Sequence, residues 1–452
     1  MCYNDDNIPQ NGEFLMTPEN ITATRGLIEF IENSPTAFHA VDSAANILDN
    51  AGFTALNECD AWNLTRGGKY YVTRNLSSII AFVIPENFTE TFMITASHTD
   101  SPTFKLKTEY EAEAFGKYIK LNVEGYGGMV NSTWLDRPLS IAGRVIVRED
   151  GKFTAKLVKI DRDLVLIPNV AAHQNRSINS GFVYNTATDL MPLFSAKDGK
   201  GGLKKIIAEE IGCAEDAITV SDLFLYNRTP ATIWGANNEF YSCPRIDNLQ
   251  CAYSTLMGFV NAADECKSLG VYSAFDNEET GSSTKQGANS QFMFDTLSRI
   301  CETFGLDLRR VLASSFMVSA DNGHARHPNH PEFSDAQNAP HMNEGVVIKS
   351  NASQKYTTDA ISAAMFSEIC KRADVPVQLF ANRSDMGGGS TLGSISNTNV
   401  ALNTIDIGLA QLAMHSSYET GGCADTLFMI RAITQFYKSA ITAEADGIYN
   451  IE

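Results

Sequence analysis

Four apolar runs in this chain each end on residues that can bind a metal or carry a proton. They are TFMITASHTD (91–100), VYSAFDNEET (271–280), SFMVSADNG (315–323) and NVALNTIDIGLAQLAMHSS (399–417). Each run is short and rich in β-branched or aromatic residues, the pattern of a strand buried on both faces. Open α/β sheets bind ligands just beyond the carboxyl ends of their strands. The pattern therefore predicts that His98, Asp100, Glu278, Glu279, Asp321 and His415 converge on one rim. Asp247, in PRIDNL (244–249), precedes an apolar helical stretch and is a further candidate.

The rest of the chain reads around these strands. Residues 1–18 form a polar arm, and two helices follow in ENITATRGLIEFIENS and TAFHAVDSAANILDNAG, with Gly52 suited to a C-cap. Strands are expected near 69–73, 78–84 and 91–97. From about 104 to 240 the texture changes to short alternating segments such as YIKLNVEGYG and SIAGRVIVRED, broken by Gly and Asp-Gly turns. That is the mark of antiparallel β structure. From 241 the expected order is helix 247–268, strand 271–275, helix 287–304, strand 312–319, helix 357–372, strands 376–381 and 399–406, and helix 423–442. The fold class is α/β: one catalytic unit over 1–103 and 241–452, split by an inserted β-rich domain over 104–240.

Length and charge narrow the function. A chain of 452 residues exceeds one ordinary core, and 44% hydrophobic with 19% charged residues is a globular composition. A net charge of −18 argues against a nucleic-acid surface, which needs a basic stripe. It does not exclude anionic substrates, since one pocket lysine can override a distant field. The nine cysteines are an odd number without a CxxC pair, and several sit in apolar stretches. Reduced thiols in a cytoplasmic protein fit that better than a disulfide framework. The acidic N-terminus lacks a signal-peptide pattern, and no apolar run is long enough to span a membrane.

Taken singly, the candidate residues are weak signals. A surface His with an Asp two positions on is the commoner meaning of HTD (98–100), and an exposed acidic pair is the commoner meaning of Glu278-Glu279. Their joint arrival at strand ends points instead to a metal hydrolase. A metal-bound His usually donates its second ring N–H to a carboxylate, the role open to Asp100. His324, His327 and His330 form a tempting H-x-x-H-x-x-H, but Pro328 and Pro331 forbid a regular helix that would align the rings. Loop packing or positioning is the expected role.

The order His98, Asp247, Glu278-Glu279, Asp321, His415 resembles that of the M18, or aspartyl, aminopeptidases. So do SHTDSPTFKLK (97–107), IPNVAAHQNRSIN (167–179), CPRIDNL (243–249), DNEETGSSTKQGA (276–288), SADNGHARHPNH (319–330), VIKSNASQKY (347–356) and QLAMHS (411–416). The resemblance covers nearly the whole chain. It implies an α/β/α zinc-exopeptidase domain with an inserted β-rich dimerisation domain, and two divalent metals per subunit, zinc first, with manganese or cobalt as substitutes. Asp247 would bridge the two ions, with His98 and Asp321 completing one site and Glu279 and His415 the other. Glu278 would be the general base, and the peptide after Asp247 would be cis. His173 would reach into a neighbouring subunit's site to stabilise the oxyanion, within a homo-oligomer expected to be a tetrahedral dodecamer.

Substrate preference rests on the same resemblance. Lys349 and Tyr356 match positions associated with an acidic side chain, which implies removal of N-terminal Asp or Glu from peptides. NRSDMGGGST (382–391) departs from the family's loop there, so other N-terminal residues stay open. Two alternatives compete: a same-clan carboxypeptidase or N-acyl amino acid hydrolase, and a catalytically silent self-assembling scaffold. The intact Glu278 and full ligand set argue against the scaffold.

Overall fold

A computed structural model describes residues 16–452. The expected polar arm lies mostly outside them. Its last residues already belong to the first helix, Pro18–Asn33, whose N-terminus Thr17 caps by accepting the Asn20 N–H at 3.2 Å. The second helix, Ala37–Asn50, ends before Gly52, which takes φ 80°.

A nine-stranded sheet forms the centre. Its middle strands run Ser268–Phe275, Thr89–His98, Phe316–Ala320 and Asn403–Gly408, all parallel to one another and buried throughout their central residues. One face is covered by Pro18–Asn33, Ala37–Asn50, Ile246–Ala262, Ala360–Arg372 and Asp425–Tyr437, the other by Phe292–Phe304 and Leu308–Ser314. This is the expected α/β/α arrangement. A six-stranded antiparallel sheet, built from strands between Thr103 and Asn227, has its own core around Phe104, Trp134, Ile141 and Leu225. A small five-stranded sheet joins Thr232–Trp234, Phe240–Cys243, Glu419–Gly422, Ala410–Leu412 and Gly323–His324.

Several expected boundaries are corrected. Residues 312–314 end a short helix, Leu308–Ser314, rather than starting a strand, because Asp307 caps it by accepting the Arg309 N–H at 3.0 Å. The last helix stops at Tyr437, and Ile441–Ala445 turns back through Gly447 to pair with Ile448–Ile451. Helix 247–268 is Ile246–Ala262, and helix 287–304 begins only at Phe292. The strand Val346–Ser350, antiparallel to Asn403–Gly408, was not expected. Among the described residues no helix is long and apolar enough to cross a membrane. The cysteines described are free, and Cys243, Cys251, Cys266, Cys301, Cys370 and Cys423 are buried.

Helix Ile246–Ala262 carries much of the packing that holds the rim. Its Phe259 is fully buried, with ring centroids of Phe53, Tyr272 and Tyr437 at 5.5, 6.2 and 5.0 Å. Phe259→Ala removes all three contacts and opens a cavity, so a loss of about 3–5 kcal/mol is expected in chemical denaturation.

Candidate metal centre

His98 is the last residue of its strand and 1% exposed. Its Nδ1 lies 3.1 Å from the Asp100 main-chain carbonyl and 3.5 Å from Asp100 Oδ1. That leaves Nε2 facing the rim, 3.4 Å from Asp247 Oδ1 and 3.8 Å from Asp321 Oδ1. On the other side, His415 Nε2 stands 3.3 Å from Asp247 Oδ2 and 3.5 Å from Glu279 Oε1. The two oxygens of Asp247 therefore face two different imidazoles, each accompanied by one further carboxylate.

Asp247 is presented by an irregular entry to its helix. Arg245 adopts φ 61°, Asp247 departs from helical geometry, and the Asp247–Asn248 peptide is cis. His415 reaches the rim by a different route from the one expected. The chain leaves the nine-stranded sheet after Gly408, forms the short strand Ala410–Leu412 of the five-stranded sheet, and turns at His415 with φ 66°. The path runs tight against the strand that precedes Asp321, since a Cβ at Gly408 would lie 2.0 Å from the Asp321 carbonyl oxygen.

Two carboxylates hold the frame. Asp100 accepts the N–H groups of Glu278 and Glu279, each at 3.2 Å, and the Tyr126 hydroxyl at 2.6 Å. Glu419, fully buried and unmarked in the sequence, accepts the N–H of Asp247 at 3.0 Å, the N–H of His415 at 2.7 Å and the Gln411 side chain at 3.2 Å. Sequence patterns miss Glu419 and Tyr126 because their partners are main-chain groups or distant carboxylates. Neither sits at the end of a buried run.

The electrostatics call for a cation. Burial pushes Glu278 up to about 8, with Asp321, Asp100 and Asp247 adding to the rise against the opposing His98. Burial and Asp247 push Glu279 well above the carboxylate range, and they lift Glu419 to about 8. Burial works against a charged His98, but Asp100, Asp247 and Asp321 outweigh it and raise its pKa. Asp247 itself is held low by the two imidazoles despite its burial. Oδ1 of Asp247 and Oε1 of Glu279 are buried without a hydrogen-bond partner. An orphaned oxygen of that kind costs about 1–3 kcal/mol or more, and a cation removes the cost. The donor set, imidazole with carboxylate oxygens, suits a divalent metal. His98, Asp247 and Glu279 alone offer three ligand atoms within 4.8 Å of one another.

The remaining candidates are placed as follows. Lys349 is 2% exposed, donates from Nζ to the Asn322 carbonyl at 2.8 Å and lies 5.6 Å from the Tyr356 ring centroid. Burial opposes its charge, but Asp321 and Tyr356 outweigh it and raise its pKa. Tyr356 packs edge-on against Phe380 at 6.2 Å. His173 is exposed in an irregular stretch. His324 lies in a short strand, whereas His330 is exposed and stacks on Phe333 at 5.3 Å. A cavity of about 290 Å³ backs the rim rather than containing it: Asp100, Asp247 and Glu419 line it, while His98, Glu279, Asp321 and His415 do not.

Comparison with known proteins decides the family. Residues 30–437 match the family described as Aminopeptidase I zinc metalloprotease (M18). A probable M18 family aminopeptidase 2 of Clostridium acetobutylicum is 46% identical over 423 residues, which cover 91% of this chain and 97% of that protein.

The chain belongs to the M18 aminopeptidase family.

As an M18 member it is an aminopeptidase and a metalloprotease. Among solved structures of this family it is similar to the chain in a cryo-EM structure of the Ape4 and Nbr1 complex. There the TM-score is 0.90 and the identity 35%, covering 94% of this chain and 87% of that one. It is also similar to an S. cerevisiae mApe1 dodecamer, at a TM-score of 0.83 and 27% identity, covering 93% and 97%.

Proposed function

We propose that the rim of this M18 aminopeptidase is a dinuclear centre, with zinc as the metal and manganese or cobalt as substitutes. Asp247 would be shared by the two ions, with His98 and Asp321 holding one and Glu279 and His415 holding the other. The observation that carries this reading is the split of Asp247, one oxygen to each imidazole, together with its orphaned Oδ1. Two such cations supply an activated water and a polarised scissile carbonyl. Glu278, beside the ligand set but not within it, takes the proton as the water oxygen attacks the carbonyl carbon. It then passes that proton to the amine nitrogen as the C–N bond breaks. Asp100 orients His98 and, through main-chain N–H groups, the Glu278–Glu279 turn.

The division of the chain follows from the same reading. Residues 1–103 and 241–452 form the catalytic domain, and the β-rich domain over 104–240 serves oligomerisation. His173, exposed within one chain, reaches a neighbouring subunit's site and stabilises the oxyanion there. The mApe1 dodecamer supports a homo-oligomer of the same order, and tetrahedral symmetry is the arrangement proposed for it. Free buried thiols support a reducing compartment, the cytoplasm.

The substrate is a peptide with an acidic N-terminal residue. Lys349 keeps its charge beside Asp321 and uses one N–H on the Asn322 carbonyl, which leaves donors for a substrate carboxylate. A charge-assisted bond of that kind stabilises by about 1.5–3 kcal/mol, which corresponds to a preference of about 10–100-fold in kcat/KM for Asp or Glu over Asn or Gln. The test is a panel of aminoacyl chromogenic substrates with Zn²⁺, Mn²⁺ or Co²⁺, run on the parent enzyme and Lys349→Met. The variant is expected to lose most of the acidic preference and to keep its action on neutral residues. A parent enzyme that prefers Leu, Met or Lys would sink the acidic reading and turn attention to the glycines at 387–389. Peptides blocked at either end separate aminopeptidase from carboxypeptidase action.

A further inference from the structure

Tyr126 closes the strand Tyr118–Tyr126 of the six-stranded sheet, yet its hydroxyl ends at the rim of the nine-stranded one. It donates to Asp100 Oδ2 at 2.6 Å and accepts from Asn277 Nδ2 at 2.9 Å. Asp100 in turn accepts the Glu278 N–H on Oδ1 and the Glu279 N–H on Oδ2. One carboxylate thus holds the main chain of the proposed base and of its metal-binding neighbour, and one phenol holds that carboxylate.

The turn needs such an anchor. Glu278 and Glu279 sit in a single 3₁₀ turn, flanked by Asn277 at φ 65° and Gly281 at φ 93°. No long helix stiffens it, so its orientation depends on the bonds that reach it from outside. The phenol is itself fixed, with its ring edge-on to Phe224 of the same sheet at 5.6 Å. Burial and Asp100 keep its proton on, so it stays a donor.

The residues after Tyr126 continue along the rim. Gly127 has φ 71°, and a Cβ there would stand 3.0 Å from Glu279 Cβ. Val130 donates its N–H to the His415 carbonyl at 3.0 Å. Segment 126–130 is therefore a strap from the β-rich sheet across both Glu279 and His415.

We propose that Tyr126 is a positioning residue of the hydrolysis. Acting through Asp100, it fixes the Glu278–Glu279 turn, so that the β-rich sheet sets the aim of the base. The inference rests on Glu278 being that base.

The test is Tyr126→Phe in the full-length, metal-loaded enzyme. The ring and its packing stay, and only the hydroxyl goes. The expected result is a fall in kcat of about 10-fold, equivalent to about 1.4 kcal/mol. KM, metal content and melting temperature stay at parent values. Combining Tyr126→Phe with Asp100→Asn slows the enzyme no further than Asp100→Asn alone, because both act through one carboxylate.

A parent-like kcat in Tyr126→Phe overturns the proposal. So does a loss that tracks metal loss, or one that multiplies with that of Asp100→Asn. Glu278→Gln run alongside separates the two readings. If it stays active, the base assignment is wrong, whereas if it is dead and Tyr126→Phe is normal, only the positioning role fails.

Discussion

Glu278→Gln is expected to lose turnover by a factor of about 10²–10⁴ and to keep both cations. The substitution preserves shape and removes the only atom set that the mechanism asks to carry a proton. Glu278 is pushed up to about 8, chiefly by burial. A metal beside it lowers that value, which favours the ionised form that a base requires. Glu279→Gln has the opposite signature. Its Oε1 is a buried oxygen without a partner, so its loss removes a ligand and one cation per subunit should go. Elemental analysis beside kcat checks both variants. Equal metal loss in the two would show that the roles of these neighbours have been exchanged or shared.

His173→Ala is expected to inactivate the assembled enzyme while leaving each subunit's metal content intact. Within a single chain His173 is an exposed residue of an irregular stretch, so the loss would report its role across the subunit boundary. An oxyanion donor contributes about 10²–10³-fold in comparable hydrolases. Co-expressing His173→Ala with Glu278→Gln subunits should restore part of the activity, since some sites then combine an intact base with a neighbour's intact His173. Mixed assemblies no more active than their parents, with hetero-assembly proven by mass, would refute the exchange across subunits.

The sequence made some parts of this site readable and hid others. His98 and Asp321 were readable because each ends or follows a buried parallel strand, and residue order along a strand translates directly into a place on the rim. His415 was readable by type but not by route, since the chain passes through the short strand Ala410–Leu412 and a left-handed turn that no apolar periodicity announces. Glu419 and Tyr126 were hidden. Their partners are the N–H groups of Asp247 and His415 and the side chain of Asp100, and no local pattern announces a bond to a distant main chain. Lys349 was named through the family resemblance, but only the fold reveals that it is drawn beneath the surface against Asn322. In the fold, the split between alternating and continuous apolar segments separated the two large sheets. Short helices such as Leu308–Ser314 were lost because one capping Asp outweighed an apolar run.

The position of Thr89–His98 in the central sheet has a consequence for synthesis. Its two neighbours, Ser268–Phe275 and Phe316–Ala320, leave the ribosome roughly 170 and 220 residues after it. At about 5–20 residues per second that is a wait of roughly 10–40 s, during which both edges of an apolar strand stand open. Until then the strand must be kept from pairing with other apolar edges. In the proposed centre the last ligand along the chain is His415, so the full rim forms only after that residue is made.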